Sequence, residues 1–237
     1  MTRCFWIVSL LLLVGGTALG AEAPADAEKV RLFDSTEIYV PMTLEGWPLL
    51  IHPRLRNEEA ATGERTLKLL GQQLYQIERR LPPAAVRQLR TVRIWVEFDE
   101  PHHPCMAYHP SPGWLSEHGM NPDKARCVEI ADAHNFLDWT IAQPWMVLHE
   151  LAHAYHHQFL EQGFDNKDIA ALHRKHTTTE AYQSVVHING RRGKHYAATN
   201  PMEYFAEATE AYFGTNDFYP FVRVELAEHD PEMFDLL

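Results

Sequence analysis

Between residues 58 and 80 the apolar positions Leu67, Leu70, Leu74 and Ile77 recur at threes and fours, the period of an amphipathic helix, and Leu81-Pro82-Pro83 ends the run. Strict alternation follows in 92–98, where Val92, Ile94, Val96 and Phe98 share one face of a predicted strand. Upstream, 36–44 and 47–52 flank Glu45-Gly46 as the arms of a β-hairpin. Segment 99–116 carries Pro101, Pro104, Pro110 and Pro112 and reads as a long loop, in which His102, His103 and His109 take solvated places or meet a substrate. A short strand is expected at 127–130 and helices at 143–159 and 168–176. A second hairpin runs from 182–188 through Asn189-Gly190 to 194–197, and a last helix at 202–213 has Pro201 at its first turn. Helices and strands follow no βα repeat and no linker interrupts them, so the pattern predicts one α+β domain over 35–237, preceded by a loose 21–34 leader.

The amino terminus follows a different rule. Arg3 precedes the apolar run from Cys4 to Val14, and the small residues Ala18 and Gly20 precede Ala21. This is the layout of a secretory signal peptide over 1–20, with an apolar core too short to span a bilayer comfortably. Its removal takes away Arg3 and no acid, moving the net charge from -11 to -12, and places the mature chain outside the cytoplasm, secreted or periplasmic, with no stable membrane insertion. Such an acidic surface offers phosphate backbones little, so a nucleic-acid partner is not expected. Cleavage also removes Cys4 and leaves Cys105 and Cys127, which in an oxidising compartment are expected to pair as a disulfide. Two buried thiols or two metal thiolates are the alternatives.

Fifteen histidines in 237 residues direct attention to metal and proton chemistry. His149-Glu150-Leu151-Ala152-His153 places two imidazoles four apart on one helical face, where both can reach one metal, with Glu150 between them to hold and deprotonate a water. A catalytic zinc needs a third protein ligand and one open position. A His six residues after His153, following a Gly three after it, would supply one, but those positions hold Phe159 and His156. The other common source is a Glu on a following helix. Glu203 and Glu207 lie one turn apart on one face, Glu203 as the ligand and Glu207 as acceptor for the outer N–H of a ligand His. His156 and His157 lie too many turns along a straight helix to join the same centre and read as polar residues at the core edge. Arg191 and Arg192 read as solvated charges.

His149-Glu150-Leu151-Ala152-His153-Ala154 together with Asn200-Pro201-Met202-Glu203-Tyr204-Phe205-Ala206-Glu207-Ala208 resembles the catalytic domain of the anthrax lethal factor type, a zincin group that includes the bacterial Pro-Pro endopeptidases. The likeness in layout runs over about 90–215, and only these two motifs are specific. The resemblance implies a zincin-like fold, a single zinc ion on His149, His153 and Glu203, and a Tyr seven residues before the ligand Glu that assists the reaction; that residue is Tyr196. It implies metal-assisted hydrolysis of a polypeptide, with Glu150 as general base and then acid, and Tyr196 or His195 donating to the oxyanion. Zincins present an edge strand to an extended peptide, and Val128, Glu129 and Ile130, just before the metal helix, are the expected strand. A catalytically silent zinc-binding module and a zinc hydrolase of non-peptide amides are the alternative functions.

Overall fold

The computed structural model describes residues 33–237; the expected signal peptide and all but the last two residues of the leader lie outside the described residues. Strands β1 (Val40–Leu44) and β2 (Trp47–Ile51) form the first hairpin, and Glu45 and Gly46 between them take φ of 49° and 85°, the left-handed pair that a two-residue turn demands. Thr36–Ile38, read as the start of the first arm, is a 3-10 turn instead. Helix α1 (Ala60–Arg80) buries Leu70, Leu74 and Ile77 completely, with Leu67 half-buried against the same core. Each such apolar side chain contributes about 1.5–3 kcal/mol when removed from water. Pro83 opens α2 (Pro83–Leu89) at a position whose N–H would be unbonded in any case.

Strand β3 (Ile94–Val96) is the ordered centre of the alternating run: Val92, Ile94 and Val96 enter the main core, and Trp95 faces the other way against Tyr39 and Cys127. The proline-rich segment is not wholly irregular. It contains β4 (Met106–Tyr108), three residues between Pro104 and Pro110, and α3 (Pro112–Glu117), whose cap Ser111 accepts the N–H of Trp114. A strand of three residues has too few alternations to be legible in the sequence.

After β5 (Val128–Ile130), Asp132 accepts the N–H of Asn135 and caps α4 (Ala133–Trp139), a helix the sequence reading did not anticipate. Then come α5 (Met146–Phe159), α6 (Lys167–His176) and α7 (Glu180–Gln183). The second hairpin is cut to β6 (Val185–Val186) and β7 (Arg192–Gly193), because α7 takes its first residues and a 3-10 turn, Tyr196–Ala198, takes its last. The chain ends with α8 (Pro201–Phe213), α9 (Arg223–His229) and α10 (Pro231–Leu236).

The main sheet has the order β1-β2-β3-β5-β4, with β2, β3 and β5 parallel and an antiparallel strand at each edge. The architecture is thus a mixed α+β one. One face of the sheet packs on α1 and α5, and a second core gathers α6, α8, α9 and α10. Helix α5 lies between them, giving Leu148, Leu151 and Ala154 to the first core and Ala152 to the second. Among the described residues, no helix is long and apolar enough to cross a membrane.

Candidate metal centre

Helix α8 is set by its cap. The Asn200 side chain accepts the N–H groups of Met202 and Glu203, both at 2.9 Å, and Pro201 fixes the first turn. Glu203 therefore stands at the positive end of the helix, where a carboxylate is favoured. Opposite it, α5 presents His149 and His153 from successive turns, their rings 4.7 Å apart and nearly perpendicular. Glu203 Oε2 lies 3.0 Å from His149 Nε2 and 3.4 Å from His153 Nε2. A tetrahedral ion with bonds of ~2.05 Å sets its ligands roughly 3.3 Å apart, so these three donor atoms fit a zinc-sized divalent cation.

Burial would raise the Glu203 carboxyl, yet the facing His153 and His149 hold it far below the usual carboxylate range. Burial would likewise depress His149. Carboxylates at both its nitrogens, Glu203 and Glu210, instead hold it well above the ordinary imidazole value. The two shifts have one cause, the mutual contact of these imidazoles and carboxylates in a partly buried space.

The acceptor for the outer nitrogen differs from the residue the sequence suggested. Glu210 Oε1 is 2.7 Å from His149 Nδ1, whereas Glu207 Oε1 is 3.9 Å away. An imidazole with a carboxylate at each nitrogen spans more than the ~5.4 Å of one helical turn, so the acid two turns beyond Glu203 is in reach and the one at a single turn is not. Glu207, buried, lies between the two histidines, its Oε2 3.6 Å from His195 Nδ1. His195 accepts the N–H of Ala197 and stacks on Phe218, and is itself buried. Tyr196, next to it, instead lines the cleft with His149 and Glu150, its ring 6.4 Å from that of His149.

Glu150 Oε2 accepts the N–H of Tyr108 at 2.8 Å, which ties the carboxylate to β4. This corrects the expected substrate strand. Val128–Ile130 is paired with β3 on one side and β4 on the other, so it has no edge to offer; Val128 and Ile130 are core residues and Glu129 is fully buried. The edge beside α5 is Met106–Tyr108. Bonds from Ala131 N–H to the Cys105 carbonyl and from His109 N–H to that of Cys127 turn the odd residues toward β5, so Met106 and Tyr108 direct their backbone groups outward. Met106 lines the same cleft as Glu150.

The expected Cys105–Cys127 disulfide is absent, and both residues are buried thiols. The ladder explains it: Cys105 lies opposite Ala131 and Cys127 opposite His109, four residues apart along the strand pair. That is about 13 Å, beyond the ~7 Å a disulfide bridges. Cys105 Sγ rests 3.4 Å from Met146 Sδ instead.

The loop histidines are also placed differently from the solvated expectation. His103 and His109 are buried and both direct Nε2 at Glu129 Oε2, at 2.7 and 2.6 Å, on the sheet face away from α5. His102 remains partly exposed, with Nδ1 2.5 Å from Glu100 Oε1. His156 is fully buried between Phe164 and Phe205, and His157 pairs with the Tyr108 hydroxyl at 2.7 Å. Arg191 and Arg192 are exposed as expected. A spacing search limited to one helical turn misses Glu210, and no local pattern marks β4. Comparison with protein-family models, with curated proteins and with solved structures finds no match.

Proposed function

We propose that this chain is an exported, zinc-dependent endopeptidase with a zincin-like fold. The observation that carries the reading is the convergence of His149 Nε2, His153 Nε2 and Glu203 Oε2 beside a cleft into which Glu150 and Tyr196 also face. His149, His153 and Glu203 would hold one zinc ion, which when bound polarises the scissile carbonyl and acidifies water. Glu150 takes the proton of the attacking water and returns it to the leaving amine. Its contact with the Tyr108 N–H aims the carboxylate before substrate arrives. Tyr196, on the turn leading into α8 and lining the same cleft, would donate a hydrogen bond from its hydroxyl to the developing oxyanion. Glu210 fixes the tautomer and orientation of His149 by accepting from Nδ1.

The outward backbone groups of Met106 favour a polypeptide substrate over a small amide, since an extended chain can add to β4 as a further strand. A purely structural zinc site has no use for Glu150, which argues for hydrolysis over silent binding. The test is to incubate the zinc-loaded chain and its Glu150→Gln variant with a diverse peptide library and map the products. Cleavage by the first and not the second is expected. If the zinc-loaded chain cuts nothing that the variant leaves intact, the reading is overturned.

A further inference from the structure

A second set of two histidines and a glutamate lies on the far face of the sheet. Glu129 stands at the centre of β5, His103 precedes β4 and His109 follows it, and all three side chains are sealed from solvent. Both imidazoles offer the same nitrogen to the same carboxylate oxygen, at 2.7 and 2.6 Å, with their rings 5.3 Å apart. The other oxygen of Glu129 is held by Lys124 Nζ, which also meets Glu97 at 2.7 Å and Glu100 at 3.2 Å. Three carboxylates thus share one ammonium in a buried space, with the Tyr39 hydroxyl donating to Glu97 and His102 beside Glu100; with all imidazoles neutral the formal charge is minus two. Leaving such a charge buried is expensive unless a cation meets it.

We propose that His103, His109 and Glu129 form a second, structural site for a divalent transition cation, zinc being the ion this donor set suits best. A cation of charge two brings the cluster to neutrality, with both imidazoles neutral and their protons on Nδ1. Ligands on a zinc ion stand roughly 3.3 Å apart, so binding spreads the present contacts by about 0.6–0.7 Å and removes the protons now lying between nitrogen and oxygen. Lys124 then plays the part that hydrogen-bonding groups play around ligating carboxylates elsewhere: it occupies the oxygen that the metal does not. The ion would join both ends of β4 to β5. That is the cross-link of the 105–127 loop which its two cysteines, too far apart along the ladder, do not make.

The site is independent of whether the first centre cleaves peptides, and metal counting tests it without an activity assay. The full chain, prepared with zinc and freed of loosely held ions, is expected to carry two zinc ions by elemental analysis and native mass. The His149→Ala/His153→Ala variant is expected to keep one, and that ion should leave to a chelator more slowly than the first, because its ligands are sealed. Adding His103→Gln and His109→Gln should remove it. The proposal is overturned if the His149→Ala/His153→Ala variant holds no zinc, since protons on the imidazoles then meet the charge. It is equally overturned if the remaining ion persists after the second pair of exchanges. Should the combined variant not fold, the chelator rate decides: an ion released as fast as that of the first centre is surface-bound and counts against the site.

Discussion

Two triads of identical composition lie on opposite sides of one sheet, and what surrounds them separates their chemistry. At His149, His153 and Glu203 the side chains are 12%, 11% and 16% exposed, nitrogen and oxygen stand 3.0 and 3.4 Å apart, and a cleft with Glu150 and Tyr196 opens beside them. At His103, His109 and Glu129 the values are 0%, 4% and 0%, the contacts close to 2.7 and 2.6 Å, and Lys124 fills the neighbouring space. A metal that reacts needs an open coordination position, and a metal that only braces does not. On the roles proposed above, the two triads differ in solvent access and in the next carboxylate or ammonium outward, and in ligand type not at all.

The comparison is broken most directly at Glu150, the group that only the open triad has. Glu150→Gln is expected to lower peptide cleavage by about 10²–10⁴-fold with zinc content unchanged, read by steady-state kinetics beside elemental analysis. Loss of zinc together with activity would make Glu150 part of the binding set and erase the distinction between holding and reacting. At the sealed triad the large effect is on stability. In the metal-free chain, Glu129→Ala takes away the carboxylate that both His103 and His109 face and one of the three that Lys124 meets, and should cost about 3–5 kcal/mol, a fall in Tm of about 10 °C. Glu203→Ala, at the wetter triad where Glu210 still faces His149, should shift melting less. Equal shifts would mean that burial does not distinguish the two.

The next effect is smaller and sharpens the first triad. Glu210→Ala should weaken zinc binding by about 10–100-fold in a competition titration, and Glu207→Ala by less, following the 2.7 and 3.9 Å distances to His149 Nδ1. The last effect is spread over a range of pH and concerns a buried imidazole with no carboxylate among its contacts, flanked by Phe164 and Phe205. Burial, aided by the nearby His153 and His157, brings the pKa of His156 down to about 4. The unfolded chain takes up this proton below about pH 6.5, the folded chain only near the depressed value, so the His156 contribution makes stability fall as the pH drops through that window, by about 1.4 kcal/mol per unit. His156→Gln in the metal-free chain should flatten that slope in urea unfolding at a series of pH values. An unchanged slope would remove His156 from the account.

Much of the fold and of the first triad is legible in the amino-acid sequence. The i, i+4 pair on α5, the Asn200-Pro201 start of α8 and the Glu45-Gly46 hairpin are each written in a few adjacent residues, because helix periodicity, capping and turn geometry act over short spans. Glu203 could be nominated because a helix carries its face with it. Glu210 in place of Glu207, β4 in place of β5 as the edge, and the separation of Cys105 from Cys127 were not legible. Each depends on how two distant segments lie against one another, and strand register settles the last two.

What the sequence determined by itself is therefore the local chemistry: which side chains share a helical face, where helices α1, α5 and α8 run, and which residue types are offered to a metal. Tertiary structure decided the rest, above all that His103 and His109, in a segment whose sequence predicts a solvated or substrate-facing loop, are closed over Glu129. The physical reason is that burial and cross-strand pairing are properties of packed surfaces. A proline-rich segment has no period from which its buried side can be read, and only the fold of 99–127 across β5 reveals which of its histidines meet water and which meet a carboxylate.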